Sequence, residues 1–186
     1  MAASLTGIEV NHRLQISGKP VPVEGVSVSL MLNDVGVGTF VVPGDAPVKK
    51  GGFAEFFISV AGGAHYLVFT GAVTEVQLAQ NRQQVKAREL CAVLEYPTFF
   101  FLRRTTLREV IAKIEEESKL HFILPRGAGY LNDRKPAFES GGSCKNALAQ
   151  LPKAFDVPDA VWYQMPDGTI YWGQWQSGPF TKAAVP

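Results

Sequence analysis

The sequence predicts an α+β chain, mainly β: a small antiparallel β-barrel followed by a small α/β module with two short helices and a hairpin. Three observations carry this. Apolar residues recur with period two through the first hundred positions, the period becomes helical after Tyr96-Pro97, and Pro166-Asp167-Gly168-Thr169 separates two short aromatic runs. The expected division is a barrel over 1–97, a module over 98–175 and a C-terminal tail over 176–186.

In the barrel, Val26, Val28, Leu30 and Leu32 alternate with Ser27, Ser29 and Met31, which predicts a strand that turns at Asn33-Asp34. Gly38 to Val42 is a second strand, stopped by Pro43-Gly44-Asp45. Phe53 to Val60 is a third, with apolar residues on both faces that predict two-sided burial. Gly62-Gly63 has the composition of a tight hairpin loop. His65 to Leu78 then reads as a long strand, and Asn81-Arg82 turns the chain into Gln84 to Glu95. Gly71 marks the place for a bulge or bend that lets so long a sheet close.

Thr106-x-x-Glu109 is a capping box, and Leu107, Val110, Ile111 and Ile114 follow at helical spacing, so a helix is expected over 106–118. Arg108, Lys113, Glu115 and Glu116 form its solvated side, with Glu109 and Lys113 spaced for an i,i+4 pair. Leu120 to Leu124 predicts a short strand stopped by Pro125, and Arg126 to Lys135 a polar loop. A second helix begins near Ser143, with Cys144, Ala147, Leu148 and Leu151 on one stripe and Pro152 to end or kink it. Val161 to Met165 and Ile170 to Trp175 predict a hairpin whose Asp-Gly fits a type I′ turn. The residues after Trp175 read as a tail that is disordered alone or ordered by a partner.

The chemistry-bearing residues form no catalytic set. Across 186 residues, 18 basic and 17 acidic side chains leave a net charge of +1, and they are interspersed. No broad field therefore attracts nucleic acid or an anionic membrane. His12, His65 and His121 lie far apart with no second ligand at metal-binding spacing. Cys91, read as mid-strand, and Cys144 sit among apolar residues as buried thiols rather than nucleophiles. No serine occupies a GxSxG elbow, and no glycine cluster opens a helix as a phosphate cradle. The expectation is no enzyme, no cofactor and no metal. The N-terminus lacks the pattern of a signal segment and no apolar run is long enough to span a bilayer, so the product is expected to be soluble and made in the cytoplasm.

Aromatic residues stand out instead. Phe99, Phe100 and Phe101 are consecutive, so one face cannot hide all three. Trp162, Tyr163, Tyr171, Trp172 and Trp175 form a ladder that seals a core or makes a contact surface. The interface candidates are Phe99, Phe100, Phe101, Trp162, Tyr171, Trp172 and Trp175.

The run TGAVTEVQ, then VKARELCAVLE, then TTLREVIAKIEEESKLHFILP resembles the barrel-to-insert passage of bacteriophage tail baseplate hub proteins, the group that includes the late control protein D family. The SCKNALAQL helix and the VWYQMPDGTIYWGQW hairpin are similar to the helical and hairpin insert of those hubs. The resemblance implies a virion structural protein in an oligomeric ring, a trimer or hexamer, that joins the tail tube to the spike. Other copies of itself and tube, distal tail and spike proteins would be its partners. Hubs of this group are about twice as long and carry a second barrel, whereas this chain shows the pattern of a single barrel. Helix-then-strand phrases such as TLREVI also occur in secretin modules, so a secretin-like envelope or secretion assembly module is an alternative reading. A sugar-binding β domain using Trp172 or Trp175 is another, and a cell-wall hydrolase using Glu115 or Glu139 a third.

Overall fold

A computed structural model describes residues 10–60 and 62–179. It divides into two compact units, one built from the chain up to Leu30 together with Gly36–Glu89, the other from Met31–Val35 together with the chain from Leu90 onward.

The first unit is one antiparallel sheet of seven strands: β1 (Val10–Ile16), β2 (Lys19–Val21), β3 (Gly25–Ser29), β4 (Val37–Pro43), β5 (Phe53–Val60), β6 (Tyr66–Ala79) and β7 (Arg82–Glu89). Their order across the sheet is β2-β1-β5-β6-β7-β4-β3. In a flat sheet β4 and β5, three places apart, would be separated by about 14 Å. The rings of Phe40 on β4 and Phe56 on β5 nevertheless lie 5.5 Å apart. The sheet therefore curls into a barrel around Leu14, Phe40, Val42, Phe56, Phe69, Val73 and Val85. Among the described residues no ladder joins the edge strands β2 and β3, so packing across the core, rather than a last row of hydrogen bonds, holds the curl.

Two bulges on β6 produce the bend. Its register shifts against β5 at Phe56/Phe57, leaving Val68 extra, and against β7 between Val73 and Glu75, leaving Thr74 extra. Gly71 lies between them and is not itself the bulge. A Cβ there would collide with the carbonyl oxygen of Arg88, so glycine is required by the close approach of β7. Gln80 (φ 47°) and Asn81 (φ 61°) form the two-residue turn into β7, and positive φ at both positions makes it type I′.

The strand expected over Val26 to Leu32 ends at Ser29, and Leu30, Met31 and Leu32 are exposed. Two-sided burial of β5 is not met at its ends, where Phe53 and Val60 are exposed. β1 and β2 escape sequence patterning because β1 buries only Leu14 and Ile16 after a polar start, and β2 is three residues long.

In the second unit the expected strand to Glu95 gives way at Leu90–Glu95 to a 3₁₀ helix. Cys91 thus lies in a helical turn rather than mid-strand, buried, with its N–H donating to Gln164 Oε1 at 2.9 Å. The unit continues with β8 (Phe101–Thr106), α1 (Leu107–Ser118), β9 (Phe122–Ile123), β10 (Arg134–Glu139), α2 (Cys144–Ala154), β11 (Ala160–Gln164) and β12 (Ile170–Gln174). β8 pairs with β10, while β12 pairs antiparallel with β11 and parallel with the two-residue β9. Val110, Ile111 and Ile114 of α1, Ala147, Leu148 and Leu151 of α2, and Trp162, Ile170 and Trp172 of the hairpin share one core.

Both helix starts follow the sequence. Thr106 caps α1 with its hydroxyl accepting from the Glu109 N–H, while the Glu109 carboxylate accepts from the Thr106 N–H at 2.7 Å. That contact holds the Glu109 carboxyl below the usual carboxylate range. It also takes Glu109 away from the expected partner Lys113, which instead reaches Glu116 at 2.9 Å and Glu117 at 2.7 Å. Ser143 caps α2, and Pro152 is accommodated within its last turn.

The Asp-Gly turn departs from type I′. Gly168 donates to the Met165 carbonyl at 2.9 Å, and Gly168 alone has positive φ (88°). Pro166, locked near −65°, selects a type I turn closed by a left-handed glycine, a three-residue hairpin loop. The loop expected over 126–135 contains a 3₁₀ turn at Gly129–Asn132 and the start of β10. Among the described residues no helix is long and apolar enough to cross a membrane.

Candidate subunit interface

The three consecutive phenylalanines sit on an extension of the β8–β10 ribbon. Thr98 N–H donates to the Gly142 carbonyl at 3.0 Å and Ser140 N–H to the Phe100 carbonyl at 3.1 Å, and a bridge joins Pro97 to Ser143. The Ser140 hydroxyl accepts from Phe100 N–H at 3.1 Å and fixes the segment further. Alternation along this ribbon turns Phe100 inward, stacked on Phe138 with centroids 6.4 Å apart. Phe99 and Phe101 turn outward and are 70% and 51% exposed. The Arg103 guanidinium lies 5.9 Å from the Phe101 ring centre, at the edge of cation–π range. Further along, Pro136 faces Arg104 in the register and supplies no N–H. The Arg104 carbonyl accepts instead from Arg134 Nη1 at 2.9 Å.

The hairpin candidates divide as well. Trp162, Tyr171 and Trp172 are buried within the second unit, Trp162 directly opposite Trp172 across the strands, and Tyr130 packs edge-on against Trp172. Trp175 is 40% exposed. Of the seven candidates, Phe99, Phe101 and Trp175 keep exposed surface, while Phe100, Trp162 and Trp172 belong to the core and Tyr171 is buried against Tyr163 on the other face of the hairpin.

No family model matches the chain. It is 32% identical over 110 residues, 59% of its length, to an uncharacterized 58.7 kDa protein in the lys 3' region of Haemophilus phage HP1 (strain HP1c1), of which it covers 20%. Its structure aligns with the 43 kDa tail protein of prophage MuSo2 from Shewanella oneidensis at a TM-score of 0.66 and 13% identity, over 89% of this chain and 53% of that one. The fold is that of phage tail proteins. The tail protein from Neisseria meningitidis MC58 agrees at a TM-score of 0.62 and 16% identity, over 88% of this chain and 51% of that one. The resemblance to phage tail proteins read from the sequence is thus matched by the fold. The chain spans about half of each of these two tail proteins and a fifth of the HP1 relative.

Other side chains of this tail-protein fold are engaged structurally. Glu115 pairs with His121 Nδ1 at 2.6 Å and accepts from Phe122 N–H at 3.1 Å, so it covers the outer edge of β9. Glu139 is exposed on β10 opposite Phe101. Among the described residues no three His, Cys, Asp or Glu side chains gather as metal ligands. Burial pushes the Cys144 thiol up, away from the thiolate a nucleophile needs.

Sequence reasoning missed Asn33, read only as part of a turn. Its N–H donates to the Trp162 carbonyl at 2.8 Å and its Oδ1 accepts from the Trp162 N–H at 2.9 Å, so one residue completes the outer edge of β11. Lys145 secures the same peptide, reaching Asp34 at 2.5 Å and Glu95 at 3.0 Å. No local pattern signals a contact between positions 129 residues apart.

Tyr171 gives this region an alkaline limit. Burial, then the neighbouring Tyr130 and Tyr163, push its phenol up to about 12, and its hydroxyl donates to the Gln174 carbonyl at 2.9 Å. An acid whose folded pKa is raised keeps its full stabilising effect below the unfolded value, about 10, and loses it as pH rises toward the folded one. Stability is expected to fall between about pH 10 and 12. Tyr171→Phe should flatten that fall, as read by thermal unfolding monitored through the tryptophans.

Proposed function

We propose that the chain is a structural protein of a phage tail tip or baseplate hub, assembling as an oligomeric ring that joins the tail tube to the spike. The observation that carries this is agreement in fold over almost nine-tenths of the chain with two proteins named as tail proteins. The relative from phage HP1 supports it. In this reading the work of the protein is mechanical. Exposed Phe99, Phe101 and Trp175 contribute to contacts with other copies or with tube, distal tail and spike proteins, and the assembled virion is its place of action. A permanent ring contact buries more than about 2,000 Å² and is apolar at its centre.

Light scattering on the purified protein tests it, alone and mixed with the products of neighbouring genes. A trimer, a hexamer, or a ring formed with a partner is the expected result. A monomer that persists at high concentration with those partners present would overturn the reading.

A further inference from the structure

We infer that residues 180–186 of this chain lie in a cleft on the outer face of its own three-stranded sheet β11-β12-β9, with the Phe180 ring against the apolar part of that cleft. The inference does not depend on the ring reading above.

The sheet has two faces, and each is apolar. The ladder sets Trp162 opposite Trp172 and Phe122 opposite Ile170, and this face belongs to the core shared with both helices. On the other face Tyr163, Tyr171 and Ile123 form one row across the three strands. An apolar sheet face is buried against another layer of chain. Two pieces of chain supply part of that layer. Pro125, just after β9, lies over Gly173, where an added Cβ would come within 2.9 Å of the proline ring. After β12 the chain returns and sets Gly178 on the same face, where an added Cβ would lie 3.2 Å from the Tyr163 hydroxyl and 3.5 Å from the Tyr171 ring. A cleft of about 820 Å³ remains, lined in part by Ile123, Leu124, Met165 and Tyr171. That is the size of a site that holds an occupant. Ile123 is still 37% exposed in it.

The path of the chain selects the occupant. Pro179, the last described residue, is itself part of the lining. Residues 180–186, Phe-Thr-Lys-Ala-Ala-Val-Pro, follow directly and lie outside the described residues. Seven residues span at most about 25 Å, so this segment starts at the cleft and stays within reach of it. Tethering gives it a high effective concentration there that a separate molecule must compete with. Its chemistry matches as well, because five of its seven side chains are apolar and one is charged. Beside Met165 the Phe180 ring gains a sulfur–aromatic contact, and beside Tyr171 an aromatic pair.

Thiol labelling tests this. Ile123→Cys places a thiol in the cleft on a strand fixed by its ladder to Tyr171, while Cys91 and Cys144 are buried. In the full chain a maleimide is expected to label it at least about tenfold more slowly than in a chain lacking residues 180–186, the ratio for a segment docked about nine-tenths of the time. Phe180→Ala in the full chain should give most of the same acceleration, which keeps the result readable if the shortened chain folds poorly. Tyr96→Cys, at a position 68% exposed, should label alike in all three backgrounds. The protection should be independent of protein concentration. Equal rates with and without the segment would mean that the cleft is empty or kept for another molecule, and protection lost on dilution would mean that a neighbouring copy supplies the segment; either result overturns the inference.

Discussion

Replacement of Trp172 by alanine is expected to destabilise the second unit by about 3–5 kcal/mol, a large share of the roughly 5–15 kcal/mol that holds an ordinary domain folded. The indole is 1% exposed and lies among Trp162, Tyr130 and the apolar stripes of both helices. Trp175 is identical chemically and three residues away, yet its replacement should cost less than about 1 kcal/mol, because much of its surface already meets solvent. The pair is measured by urea unfolding followed by circular dichroism. Equal losses for the two variants would refute the assignment of Trp172 to the core and Trp175 to the surface.

The second large effect is expected at Gly71. Even one methyl group there drives into the carbonyl oxygen of Arg88, which is backbone and cannot rotate away. The β6–β7 ladder must part between the two bulges where the sheet bends most. Gly71→Ala should cost about 1–3 kcal/mol by overpacking, and Gly71→Val more. All three tryptophans belong to the second unit, whereas the seven-stranded sheet dominates the far-ultraviolet signal of the first. Tryptophan fluorescence therefore follows the second unit alone, while circular dichroism reads both. A Gly71→Ala midpoint unchanged from wild type in both signals would mean that β6 and β7 are not held as close as described.

Much of this architecture is legible where local chemistry decides it. Thr106 and Glu109 announce a helix start through their own side chains, and Ser143 does the same for α2, so both helices lie where expected. The hairpin strands were equally plain, but the turn between them was not, because Pro166 restricts φ one position before Asp-Gly and shifts the turn type. β8 and β10 were missed because their apolar residues serve two surfaces. Phe100 and Phe138 face a core while Phe99 and Phe101 face out, and a run of three phenylalanines shows no alternation. The same limit applies to the aromatic ladder: periodicity shows that Trp162, Tyr171 and Trp172 share a hairpin, but Trp162 and Trp172 are buried in the core they share with α1 and α2, a non-local event, while Tyr171 packs on the other face against Tyr163. Val26 to Leu32 failed in the opposite sense. Its alternation is real, yet the strand stops at Ser29 because the next residues leave for the other unit.

That departure sets a timetable for synthesis. Asn33 completes the edge of β11 through Trp162, which is 129 residues later in the chain. At ordinary elongation rates the ribosome needs on the order of ten seconds to cover that distance. For most of that interval the Met31–Val35 peptide has been made while the strand edge it completes does not yet exist, and Val35 waits for the core in which it ends up buried. The first sheet has all its strands by Glu89, so it can form early, but the second unit reaches back for a piece of chain already made. Its folding is therefore a late step, and synthesis halted before Trp162 would leave exposed a segment that includes Met31 and Leu32, both apolar. A fragment started at Leu90 would meet the same deficit from the other side.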